Sequence, residues 1–151
     1  MSNINHTYKV IQLTNGVIGA QAIDTFLPLG NITRKINCKD YNSVPFTVLN
    51  SGADTITINE SGYYKVTYSA SLVAAADGVI ELSLAVNNNV TYSVSTTATS
   101  GSTVNLTLPY EIRVCPNSEC NPYNIPANIQ IKLNTTAISG GTSNILVEKV
   151  Y

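Results

Sequence analysis

Along most of the chain, apolar residues return at every second position between clusters of Gly, Asn, Pro and Ser. A period of two is the period of a strand, because successive side chains point to opposite faces. The stretch "TITINESGYYKVTYSASL", residues 55 to 72, predicts two strands around the turn Asn59-Glu60-Ser61-Gly62. Ile56 and Ile58 share a face before the turn. After it Tyr64, Val66, Tyr68, Ala70 and Leu72 share one, opposite Tyr63, Lys65, Thr67, Ser69 and Ser71. "VIELSLAV" sets Ile80, Leu82, Leu84 and Val86 on one face, turns at Asn87-Asn88-Asn89, and continues as "VTYSVSTT" with Val90, Tyr92 and Val94 aligned. The longest alternation, "TVNLTLPYEIRV", aligns Val104, Leu106, Leu108, Tyr110, Ile112 and Val114. Pro109 interrupts it and has no amide proton for a ladder, which predicts an edge strand or a bulge there.

The other segments read the same way. "YKVIQLT" predicts a first strand ending at Asn15-Gly16, and "FLPLGNITRKIN" a bend at Pro28 and Gly30 followed by a short strand to Asn37. "PFTVLN" stops at Asn50-Ser51-Gly52, and "NIQIKLN" follows a loop rich in Pro and Asn. The closing "NILVEKVY" has Ile145 and Val147 on one face and Leu146 and Val150 on the other, which predicts burial from both sides. Nothing predicts a helix longer than a turn or two. About ten such strands, with no internal repeat or linker, give one compact all-β domain, a sandwich or a barrel. The 151 residues are enough to bury a sizeable core.

Charge changes the picture more than length does. Charged residues make up 11% of the chain, against about 25% in an average domain. The net charge is −1 and there is no basic cluster, so the electrostatic footprint of a nucleic-acid binder is missing. No apolar run approaches a membrane-spanning length, and "MSNINHTYKVIQLT" has no secretory pattern. We therefore expect neither nucleic acid nor membrane as a partner. The outer faces of a sandwich normally carry charge for solubility. Here they carry Thr, Ser and Asn with scattered Tyr, a residue enriched at interfaces for its apolar body and polar tip. The tyrosines after the Gly62 turn thus read as part core and part contact surface.

Little catalytic chemistry is available. The one histidine, His6, lies near the N-terminus and reads as a surface residue rather than as a base. The acids Asp24, Asp40, Asp54, Glu60, Asp77, Glu81, Glu111, Glu119 and Glu148 fall mostly in turns or on polar faces, with no evident carboxylate pair. Gly16-Val17-Ile18-Gly19 lacks the lysine and the strand-to-helix setting of a phosphate loop. Of the cysteines Cys38, Cys115 and Cys120, the last two, in "CPNSEC", either close a small disulfide ring in a loop or remain reduced thiols. Four zinc ligands are not at hand. Asn-x-Ser/Thr triplets at Asn5, Asn31, Asn59, Asn89, Asn105 and Asn134 reflect a composition rich in Asn and Thr. We expect no enzyme, no cofactor and no metal.

Gly62-Tyr63-Tyr64 running into Val66 and Tyr68 resembles the signature strand of the jelly roll shared by tumour necrosis factor and the complement globular heads. Pro28-Leu29-Gly30, Thr55 to Ile58, Val86 to Asn88 and Asn144 to Tyr151 are similar to the bacterial and phage branch, typified by the heads of collagen-like exosporium glycoproteins. The resemblance covers residues 22 to 151 and implies an antiparallel two-sheet jelly-roll head that forms a homotrimer. It further implies Tyr64 or Tyr68, Tyr92, Tyr110 and Tyr151 as inter-subunit contacts around a threefold axis. No Gly-X-Y stalk precedes the head, and no acidic cluster matches the calcium site of some complement heads.

The expected function is a non-enzymatic structural module on a virion surface, a capsid decoration or head-fibre protein of a phage. Residues 1 to 21 serve as an N-terminal strand and attachment segment for capsid or other virion proteins, and residues 22 to 151 as the head. The loops "AAADG", "TATSGS" and "CPNSECNPYNIP" then face outward. The alternatives are a head that binds carbohydrate or a host receptor through those loops, and a bacterial spore-surface or adhesin head.

Overall fold

The computed structural model describes residues 8–37, 44–48, 53–121 and 123–150. The described residues form eleven strands: β1 Lys9–Ile18, β2 Thr25–Phe26, β3 Asn31–Asn37, β4 Phe46–Val48, β5 Ile56–Ile58, β6 Gly62–Ala74, β7 Gly78–Val86, β8 Asn89–Ala98, β9 Thr103–Val114, β10 Ala127–Asn134 and β11 Ile138–Lys149. One sheet runs in the order β3-β1-β11-β6-β9 and the other β4-β5-β10-β7-β8, with β2 added on β10. All ladders between these strands are antiparallel. This is the all-β fold expected from the alternation, in the form of the antiparallel two-sheet jelly-roll sandwich that the resemblance implies, with one strand more than the count of ten.

The period of two explains the core. In β6 the even-numbered residues are buried from Tyr64 to Ala74, and their ladder partners in β11 and β9 point the same way. Across the first sheet this makes rows such as Leu13, Ile145, Tyr68 and Leu108. The second sheet answers with Ile129 beside Val86, Ile131 beside Leu84 and Leu133 beside Leu82, all fully buried. Pro109 lies in β9, an edge strand of the first sheet, as its missing amide proton requires.

Two turns have clear causes. Asn87 and Asn88 both take positive φ, 50° and 66°, the two-residue turn whose twist matches a hairpin. Gly30, at φ 90°, carries the chain so close to β1 that a Cβ would strike the Thr14 carbonyl oxygen.

The structure departs from the sequence reading at four places. β1 does not stop at Asn15-Gly16 but continues to Ile18 through a break in register. It is also an inner strand, bonded to both β11 and β3, so it is integral to the head rather than a free attachment strand. Val90 is not aligned with Tyr92 and Val94. A register shift pairs Tyr92 with Leu84 and Val90 with Ala85, which turns Val90 to the outer face. β11 is not covered on both sides: Ile145 and Val147 are buried, whereas Leu146 is half-buried on the outer face and Val150 is exposed.

Candidate functional site

The implied contact tyrosines separate into two groups. Tyr64 and Tyr68 are fully buried within the single chain and have no surface to offer a second copy. This corrects their reading as interface residues, because the even-numbered face of β6 is the floor of the core. Tyr64 donates its hydroxyl to the Glu60 carbonyl at 2.7 Å and meets Phe46 edge-to-face at 5.9 Å between ring centroids. Tyr151, like Cys38 and His6, lies outside the described residues.

Burial also sets the chemistry of these two phenols. Burial raises Tyr68, with the nearby Ser143 hydroxyl opposing it, to about 12. Tyr64 is raised further, by burial and then by the Glu60 carboxylate. Tyrosines in the unfolded chain ionise near 10. The folded state thus holds these protons more tightly, and the stabilisation is complete below pH about 10. Between pH about 10 and 12 it is lost at roughly 1.4 kcal/mol per pH unit for each tyrosine. The urea midpoint is expected to be level from pH 8 to 10 and to fall steeply above that. A midpoint unchanged at pH 12 would contradict it.

The second group forms a rim. β8 and β9 are edge strands of the two sheets and lie beside each other. Tyr92 of β8 and Tyr110 of β9 stack there with ring centroids 5.4 Å apart and planes 17° from parallel. Tyr92 keeps 39% of its surface exposed. The loop after β9 adds Tyr123, whose hydroxyl is raised in pKa by burial and by the neighbouring Tyr110 phenol. Tyr123 belongs to the loop expected to face outward, and the structure sets its hydroxyl near Tyr110. The Cys115–Cys120 pair is disulfide-bonded, with Cα atoms 5.6 Å apart. The Cys115 and Tyr123 N–H groups donate to the Tyr123 and Cys120 carbonyls, at 3.0 and 2.6 Å. Asn87 ties the β7–β8 hairpin to the same loop, donating its side-chain amide to the Asn124 carbonyl at 3.3 Å.

Next to this rim lies the outer face of the first sheet. Three successive rows carry no charged side chain: Gln12, Leu146, Thr67, Pro109 and then Thr14, Asn144, Ser69, Thr107 across β1, β11, β6 and β9, and Thr142, Ser71, Asn105 across β11, β6 and β9; the row on the far side of Leu146 carries Glu148, Lys65 and Glu111. Polar groups of the three rows bond to one another. Asn144 Oδ1 accepts from Gln12 at 2.8 Å and Thr14 at 3.0 Å, and Ser71 donates to Asn105 at 2.5 Å. A polar group already paired costs less to remove from water than an unpaired one. A shallow trough of about 480 Å³ runs across the second and third of these rows, lined among others by Asn15, Ser69, Asn105 and Asn144. At the end of this face, Arg113 lies over the exposed Tyr63 ring at 5.8 Å. Among the described residues, no group of His, Cys, Asp and Glu side chains is placed to hold a metal ion.

No family model matches the chain, and no curated protein matches it in sequence. Solved structures do match it over nearly its whole length. The Eiger TNF of S. frugiperda superposes with a TM-score of 0.70 at 8% identity, over 97% of this chain and 94% of that one. The globular domain of zebrafish complement 1qA gives 0.62 at 9% identity, over 95% and 98%. The PRD1 vertex protein P5 gives 0.59 at 14% identity, over 95% and 97%. At these identities the likeness is one of fold, and the chain has the jelly-roll fold of the tumour necrosis factors and complement globular domains.

Proposed function

We propose that this protein is a non-enzymatic structural module that works as a homotrimer on the outside of a phage virion, as a capsid decoration or head-fibre protein. The observation that carries the reading is the stretch of three charge-free, internally hydrogen-bonded rows on the outer face of the first sheet, beside the stacked Tyr92–Tyr110 rim. Such a face is poorly suited to remain the solvated side of a sandwich and well suited to meet another copy. The fold is shared with a vertex protein, which supports the virion setting. Attachment to the particle falls to the segment ahead of β1.

Light scattering tests the assembly. The full chain is expected at three times 16.1 kDa. Tyr92→Ser is expected to remain folded and to weaken each contact by about 2 kcal/mol, the size of an interface hot spot. A well-folded monomer at every concentration would overturn the reading. A capsid or portal gene beside this one would support the virion setting.

The clustering of Tyr92, Tyr110 and Tyr123 also favours a second reading, a head that binds glycan or a host receptor, because stacked aromatics with nearby amides suit a saccharide ring. Reproducible millimolar-or-better binding on a glycan array would promote it.

A further inference from the structure

We propose that the Cys115–Cys120 disulfide is a redox latch on the tyrosine rim, so that self-association follows the thiol–disulfide state of the surroundings. The inference rests on the assembly reading above and names what regulates that same site.

The two half-cystines are held differently. Cys115 directly follows β9, whose last residue Val114 is in register with Gly62 of β6, and only 3% of Cys115 is exposed. Cys120 ends the short 3-10 turn Ser118–Cys120 and is only half-buried. Tyr123 hangs between them, its N–H on the Cys120 carbonyl and its own carbonyl on the Cys115 N–H. The Ile125 N–H adds a bond to the Cys115 carbonyl at 2.9 Å. Opening the disulfide leaves Cys115 fixed by the sheet and frees the turn that carries Cys120. One of the two backbone anchors of Tyr123 then becomes mobile, and with it loosens the loop that Asn87 ties to the β7–β8 hairpin, beside the Tyr92–Tyr110 stack.

The chemistry is ordinary thiol–disulfide exchange with a dithiol. Its thiolate attacks Sγ of Cys120, the less buried of the two residues, the S–S bond breaks, and Cys115 leaves as a thiolate that takes up a proton. The second thiol of the reagent then displaces Cys120 Sγ, which also takes up a proton, and departs as a cyclic disulfide. The protein gains two electrons and the dithiol loses two; an oxidised dithiol runs the exchange backwards. A reducing cytoplasm thus favours the loosened rim and an oxidising exterior the latched one.

The test uses the full chain, oxidised and after treatment with dithiothreitol, beside the double variant Cys115→Ser, Cys120→Ser. Reduction is verified by a rise of two in titratable thiols. The concentration at which the trimer forms is expected to rise at least about tenfold on reduction. The double variant should match the reduced protein and ignore the reagent. Amide exchange should quicken over residues 115–125 and stay slow in β6. Equal association with the disulfide open would overturn the latch and leave the assembly reading standing. A monomer in both states would remove both. Loss of exchange protection in β6 would also overturn the latch, because the disulfide would then be holding the whole sandwich.

Discussion

Replacing Tyr68 with alanine is expected to lower the unfolding free energy by about 4 kcal/mol, while Tyr68→Phe leaves it within about 1 kcal/mol of the parent. The ring sits in the row Ile145, Tyr68, Leu108 with no exposed surface, so truncation removes a whole aromatic side chain from a close-packed interior. Its hydroxyl contributes little. The Tyr68 and Ser143 hydroxyls are both buried without a hydrogen bond of good geometry. Removing a polar atom that folding already leaves unsatisfied relieves a desolvation penalty rather than breaking a bond. Tyr64→Phe should behave differently, costing about 1 kcal/mol, because there the hydroxyl caps the Glu60 carbonyl. Urea denaturation of the three variants checks the order. A Tyr68→Ala protein as stable as the parent would show that β6 does not face the core as described. Loss of trimer in a Tyr68 variant would report unfolding, so Tyr92, exposed at the rim, is the residue that tests assembly.

The same face assignment shows what the sequence could and could not say. Even spacing from Tyr64 to Leu72 identified the buried face of β6, because a period of two is a local property of the strand. It could not say which tyrosine belonged to a contact surface, since that depends on whether the opposite sheet covers the ring. Tyr64 and Tyr68 lie mid-sheet under the second layer, whereas Tyr92 and Tyr110 lie on edge strands where that layer ends. Val90 was misplaced for a related reason. One residue of slip in the β7–β8 ladder reverses a side chain, and nothing in "NVTYSV" marks the bulge. Leu146 and Val150 were read as buried because apolar residues on both faces usually mean two covering layers. Among the described residues no second layer covers it, and Leu146 is instead a half-buried apolar residue in a polar outer face. The Tyr123 contact was invisible, because it depends on how a loop rich in Pro and Asn folds back across β9. The spacing of Cys115 and Cys120 hinted at a ring, without showing that the ring holds a tyrosine.

Glu60→Gln is expected to destabilise the protein by about 3 kcal/mol, a large effect for removing one charge without changing shape. Lys9 opens β1 and Lys149 closes β11, and the two are ladder neighbours, so their ammonium groups leave the sheet side by side. Glu60, in the turn before β6, reaches both: 2.7 and 3.0 Å to Lys9 Nζ and 3.4 Å to Lys149 Nζ. The side chains are 7%, 20% and 13% exposed for Lys9, Glu60 and Lys149, so little water or salt reaches the cluster. An amide in place of the carboxylate removes the anion that stands against both ammonium groups, in a poorly hydrated site. The exposed pair Lys132–Asp24, 3.9 Å apart, is the contrast: Asp24→Asn should change stability by less than about 0.5 kcal/mol. If like-charge repulsion is the cause, adding Lys149→Met to Glu60→Gln should recover part of the loss, and a double-mutant cycle measures the coupling directly. Full additivity of the two changes would mean that the cluster is not acting as a unit. Because the cluster joins the start of β1 to the end of β11, amide exchange in Glu60→Gln should quicken first at those two strand ends and leave the middle of the sheet protected.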